Sequence, residues 1–287
     1  MKLLIHIFLN TKSLTMSLKE QHKKLEIFYI RSWDLIKIDK ISEKGNQRTN
    51  NEDRVGYFIK NNIYLGILCD GMGGHKNGDH AANIALEILS MDFMNFFTYT
   101  NIEDLKSFIF NSIMNIKNEM KKIAIDSPEK KDMGTTLVSF MYNELEKKLI
   151  VFYSGDSRCY IYKKNGELLQ ITRDHNLLNR WIDEGIEQKN IEKNYRVYRY
   201  LTSAIGANLE TKIDFIVLEN NFENPITKIL LTSDGIHEFL TNDQIHFILS
   251  NKKDTTLQKL NSLVTLSLIS ESNDNMSAIL MEIKNDK

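Results

Sequence analysis

Ile63-Tyr64-Leu65-Gly66-Ile67-Leu68-Cys69-Asp70-Gly71-Met72-Gly73-Gly74-His75 is the stretch whose reading decides the fold of this chain. An apolar run leads straight into a carboxylate, and glycines follow at once. A strand of that kind ends where the backbone turns away, so Asp70 is held at the strand end and cannot spread out as a solvated surface charge. The arrangement recurs in Leu230-Leu231-Thr232-Ser233-Asp234-Gly235, and in Val151-Phe152-Tyr153-Ser154-Gly155-Asp156 with the glycine in front. Ser272-Asn273-Asp274-Asn275 places a further acid just before an apolar run from Met276 to Ile283. In antiparallel neighbours the end of one strand lies beside the start of the next, so these acids can gather at one rim. Such a rim needs cations.

Outward from that stretch, Leu35 to Ile41 alternates as a half-buried strand, and Val55 to Ile59 pairs back through a turn at Lys60-Asn61-Asn62. Helical spacing covers Ala81 to about Phe97 and Ile102 to Ile125. Met133-Gly134-Thr135-Thr136 then opens a set of antiparallel strands, Leu137–Tyr142, Leu149–Tyr153, Arg158–Tyr162 and Leu168–Ile171. A short helix over Leu177–Glu184, which Asp174-His175 would cap, leads into a long polar segment. Strands resume at Ile213–Leu218 and Lys228–Thr232, helices at Asn242–Ser250 and Thr255–Ser270, and a last strand ends at Ile283. Strand hairpins interrupted by two pairs of helices predict an α+β sandwich with helices outside antiparallel sheets. Residues 1–33 differ in texture and read as an N-terminal extension of unknown role, or the chain starts at Met16; residues 34–285 read as one domain.

The chain has 287 residues and a formal net charge of −1, which gives no electrostatic reason to expect nucleic acid or an anionic membrane as partner. No apolar stretch approaches a bilayer-spanning length. Cys69 and Cys159 sit in apolar runs without metal-ligand spacing, which favours a reducing, cytoplasmic setting.

Oxygen ligands without a cysteine or histidine cluster favour hard cations, magnesium or manganese. Two carboxylates about 4 Å apart repel by roughly 4 kcal/mol at an effective dielectric of about 20. Two divalent ions about 3.5–4 Å apart resolve that repulsion and activate a bridging water for in-line attack on phosphorus. Arg48 supplies a planar fork matched to the phosphate oxygens. Residue chemistry alone reads as metal-assisted phosphoester hydrolysis.

The resemblance then becomes specific. Arg48 through Asp53, Asp70-Gly71-Met72-Gly73-Gly74-His75, Gly134-Thr135-Thr136, Ser154-Gly155-Asp156-Ser157-Arg158, Asp174-His175, Leu201 through Gly206, Thr232-Ser233-Asp234-Gly235 and Asp274-Asn275-Met276-Ser277 stand in the order and spacing of the type 2C (PPM) metal-dependent serine/threonine protein phosphatases. The chain most resembles the compact bacterial members. That resemblance implies a four-layer α-β-β-α sandwich, two antiparallel sheets flanked by pairs of helices, with a dinuclear Mg2+ or Mn2+ site and a weaker third ion. It implies metal roles for Asp53, Asp70, the Gly71 carbonyl, Asp156, Asp234 and Asp274, with Asp70 bridging and Arg48 binding phosphate. Glu52 would act through water, Thr135 and Thr136 would support the site from behind, and the segment from about Asp174 to Leu201 would form a flap. The implied substrates are phosphoserine and phosphothreonine in proteins phosphorylated by a cognate kinase. One departure matters: Met72 stands where many eukaryotic members have a histidine, which leaves His75 or a metal-bound water as the acid. The alternative reading is an inactive binding or sensing module that keeps the fold.

Overall fold

Alternation along one strand sets the layering. A computed structural model of the chain describes residues 36–73, 77–186, 197, 199–219 and 223–284. The extension over residues 1–33, His75 and the greater part of the segment between Ile186 and Arg199 lie outside the described residues. Strand β3 (Ile63–Met72) sends Ile63, Leu65, Ile67 and Cys69 into one apolar layer and Leu68 into another, as a period of two requires. Asp70 therefore falls on the Leu68 side.

Strands β1 (Ile36–Glu43), β7 (Arg158–Lys163), β8 (Leu168–Gln170), β11 (Ile226–Thr232) and β12 (Met276–Ile283) make one sheet in the order β1-β12-β11-β7-β8. The other runs from β10 (Asp214–Glu219) through β6 (Lys148–Ser154) and β5 (Leu137–Asn143) to β3, which β2 (Asp53–Lys60) also pairs. Short strands β4 (Gly134–Thr135) and β9 (Ile205–Gly206) continue from the last residues of β3. Every pairing is antiparallel.

Helices α1 (Asn77–Phe96) and α2 (Ile102–Asp126) bury Leu89, Phe93, Ile109 and Ile116 against one outer face of the sandwich. Helices α5 (Asn242–Ser250) and α6 (Thr256–Ile269) cover the other with Ile245, Leu260 and Leu263. Each of this second pair opens on a capping box, Thr241 with Gln244 and Thr255 with Gln258, which satisfies two orphan N–H groups reciprocally. Between the sheets lie Val138, Phe140, Val151, Leu231, Ile279 and Met281. The result is the α-β-β-α sandwich expected from the sequence. Among the described residues no helix is long and apolar enough to cross a membrane.

The helices differ from the expected pattern at three points. Helix α1 starts at Asn77, ahead of Ala81, and Gly78 in its first turn packs its backbone against Gly71. A four-residue helix α4 (Asp234–His237) follows Ser233, too short to leave a periodic trace. Helix α3 (Leu177–Asp183) is capped by the Asn176 side chain, which accepts from the Asn179 N–H; Asp174 is drawn instead to Arg158.

Candidate active site

At one end of the sandwich, β3 and β11 finish while β2 and β12 begin, with Asp53 opposite Asp70 and Thr232 opposite Ala278. The turn between β6 and β7 reaches the same end. A cavity of about 860 Å³ opens there, and Arg48, Glu52, Asp70, Asp156, Asp234 and Asp274 share its wall with the Gly71 backbone. Acids that lie more than two hundred residues apart along the chain thus face one space.

Asp70 is held by its backbone, which leaves its carboxylate for the cavity. Its carbonyl accepts from the Thr136 N–H (2.8 Å) and the Thr135 hydroxyl (2.9 Å), and its N–H donates to Thr136 Oγ1 (3.1 Å). Thr136 Oγ1 also lies 2.7 Å from Ser157 Oγ, which ties β3 to the turn that carries Asp156. Gly71 admits no side chain: a Cβ there would stand 2.2 Å from the Gly78 carbonyl oxygen and 2.7 Å from that of Glu52. This close approach brings the start of α1 and the Glu52 backbone to the cavity edge.

Asp53 lies beside Asp70 but off the cavity wall. It is buried, faces the inter-sheet layer behind Asp70, and does not line the cavity. Its Oδ2 accepts from the Ser233 hydroxyl at 2.9 Å. Glu52, expected to act at one remove, is the one of the pair on the cavity wall.

The electrostatics are those of crowded acids. Loss of solvent, then the charges of Asp53, Asp234, Asp156 and Asp274, pushes Asp70 well above the carboxylate range. Asp234 is raised in the same way by burial and then by Asp156, Asp274 and Glu238. Burial and then Asp174 lift Asp156 to about 7, while burial lifts Asp53 to about 6 against the opposing hydroxyls of Ser277 and Ser233. Like charges out of water favour the neutral form unless a cation stands among them.

Among the described residues, no three His, Cys, Asp or Glu side chains stand close enough together to hold an ion as placed. Asp274 accounts for part of this. Its Oδ2 is taken by Arg48 Nη2 at 2.5 Å, and its Oδ1 accepts from the Asn275 N–H at 2.7 Å. Arg48 also donates from Nε to the Asn273 carbonyl (3.2 Å), so the expected phosphate-binding arginine rests on an expected ligand. The donor set nonetheless fits hard divalent ions: carboxylates and a main-chain carbonyl around one cavity, with no cysteine or histidine on its described wall.

Three supporting residues escaped the reading of the sequence. Asn275 accepts from the Glu52 N–H and donates to the Lys44 and Asn50 carbonyls, all at 2.9 Å, and so clasps the loop that carries Arg48. Ser233 Oγ accepts from the Ser277 N–H at 2.9 Å while donating to Asp53. Ser233 and Asn275 sit beside acids in turn-like sequence, where nothing local separates a clasp from an ordinary turn, and Ser277 lies in the apolar run of β12. Thr135 and Thr136, by contrast, take the supporting places expected for them.

Residues 43–264 match the Protein phosphatase 2C family. The serine/threonine phosphatase Stp of Listeria monocytogenes is 28% identical over 242 residues, which covers 84% of this chain and 93% of that protein. The crystal structure of serine/threonine phosphatase Stp1 from Staphylococcus aureus superposes with a TM-score of 0.76 at 27% identity, over 88% of this chain and 96% of that one. The catalytic domain of the serine threonine protein phosphatase PstP, solved with two manganese ions, shares the fold at a TM-score of 0.70 and 24% identity, over 88% and 99% of the two chains. With its layers, its acid-lined cavity and this match in hand, the chain belongs to the protein phosphatase 2C family and is a protein phosphatase.

Proposed function

We propose that this phosphatase removes phosphate from phosphoserine and phosphothreonine in proteins, using two divalent ions, Mg2+ or Mn2+, held by Asp70, the Gly71 carbonyl, Asp234 and Asp274. The observation that carries this reading is the placement of Asp70, Asp156, Asp234 and Asp274 on the wall of one cavity together with Arg48. Asp156 stands where a further ion would be held. When bound, such ions let the carboxylates ionise together and supply the Lewis acidity that activates water against phosphorus.

The chain's own residues do the rest. Asp70, fixed through Thr135 and Thr136, presents its carboxylate without freedom to fall back into the sheet. Asp53, opposite Asp70 across the β2–β3 pair and anchored by Ser233, would steady the Asp70 carboxylate beside the ions. Arg48, half exposed at the cavity mouth, orients the phosphate oxygens once its bond to Asp274 gives way. Phosphate release from a phosphothreonine peptide tests the reading. Turnover that requires manganese and is lost in Asp70→Asn and in Asp234→Asn is expected; metal-dependent turnover retained by both variants would overturn the assignment.

A further inference from the structure

We infer that His175 is a positioning residue for the Asp156 turn, its imidazole fixing the peptide that aims Asp156 into the cavity; this rests on the proposed role of Asp156 as an ion ligand. The geometry is specific. His175 grips Gly155, the residue before Asp156, from both sides: the His175 N–H donates to the Gly155 carbonyl at 2.9 Å, and the Gly155 N–H donates to His175 Nδ1 at 3.2 Å. Gly155 has φ +111°, and a Cβ on it would stand 2.7 Å from Thr136, so the turn lies flush on the residue that holds Asp70.

The ring has no freedom of its own. Because Nδ1 accepts, the proton sits on Nε2, which donates to Asp214 Oδ2 at 3.1 Å; Lys212 Nζ holds that same oxygen at 2.8 Å. Tyr153 stacks on the imidazole with ring centroids 5.0 Å apart, and the ring is 8% exposed. Burial keeps the imidazole below its usual pKa, in keeping with a neutral ring. On its far side the His175 carbonyl accepts from the Thr202 N–H at 2.9 Å, next to Leu201 on the cavity wall. His175 therefore joins the Asp156 turn, the edge strand β10 that carries Asp214, and the Leu201 wall.

The test is manganese binding to the full chain, followed by the electron paramagnetic resonance of free Mn2+, with thermal melting to establish folding. His175→Asn keeps an acceptor the same number of bonds from the backbone as Nδ1, whereas His175→Gln reaches toward Asp214 and abandons the Gly155 N–H. We expect His175→Gln to weaken the Asp156-dependent ion about tenfold or more, and His175→Asn less than about threefold, the scale set by residues that orient metal ligands. In an Asp156→Asn background neither change should exceed about twofold, since the interaction has already been removed. Equal losses in Asn and Gln variants, or the same loss with Asp156 already replaced, would overturn the inference. Failure of the unchanged chain to bind manganese overturns the proposed function and this inference with it. Should the Gln variant not fold, the long-range 15N spectrum of the His175 ring in the unchanged protein decides the matter: an Nε2–H tautomer supports the clasp, and an Nδ1–H ring sinks it.

Discussion

Replacing Asn275 by alanine isolates how the cavity mouth is held. The side chain is 4% exposed and makes three bonds of 2.9 Å, to the Glu52 N–H and the Lys44 and Asn50 carbonyls. Each is worth about 1 kcal/mol net, so their joint loss costs about 3 kcal/mol, with the Glu52 N–H left facing a methyl group. For a domain of this size that corresponds to a fall in melting temperature of about 6–12 °C. The Arg48 loop hangs on the same clasp, so KM for a phosphopeptide should rise together with the thermal loss. Calorimetry of the metal-free protein and steady-state kinetics measure the two effects. A fall of less than about 2 °C would refute the reasoning, because the clasp would then contribute no more than a single surface contact.

Asp53, lifted from 3.8 to about 6, and Asp156, lifted to about 7, keep protons in the fold that the unfolded chain releases above about pH 4. Their contribution is complete below the unfolded value and is lost as pH rises through the folded ones, about 3 kcal/mol for Asp53 alone. The metal-free melting temperature should fall between about pH 5 and 7.5, with manganese restoring most at the upper end; a flat metal-free profile would contradict this. Gly71→Ala forces a Cβ to 2.2 Å from the Gly78 carbonyl oxygen, a backbone clash costing about 1–3 kcal/mol or more, so both melting temperature and manganese-dependent turnover should drop. Arg48→Lys keeps the charge and loses the fork, and loss of one charge-assisted bond of about 1.5–3 kcal/mol should raise KM for a phosphopeptide about 10–100-fold. An unchanged KM would remove Arg48 from substrate binding.

Much of this architecture was legible in the residues. Alternation in Ile63–Cys69 already places Asp70 on one defined face, and the motif order from Arg48 to Ser277 points to the family that residues 43–264 match. Less legible was the difference between Asp53 and Glu52, adjacent acids that a strand sends to opposite faces. Only the pairing of Asp53 with Asp70 shows which carboxylate turns inward to Ser233 and which stands at the cavity. Asp174 was misread as a cap because its partner, Arg158, lies across a hairpin at 3.0 and 2.7 Å.

The chain order of the acids, their position at strand ends and the glycines that follow them are local properties, determined by the residues because alternation and turn chemistry act over a few positions. Which acids share a wall, and what holds them there, depended on the folded molecule. Asn275 reaches Glu52 across two hundred and twenty-three positions, and Arg48 reaches Asp274 across two hundred and twenty-six. A hydrogen bond is made between atoms within about 3 Å of each other and leaves no period in the sequence, so such partners are legible only once the sheets have brought their ends together.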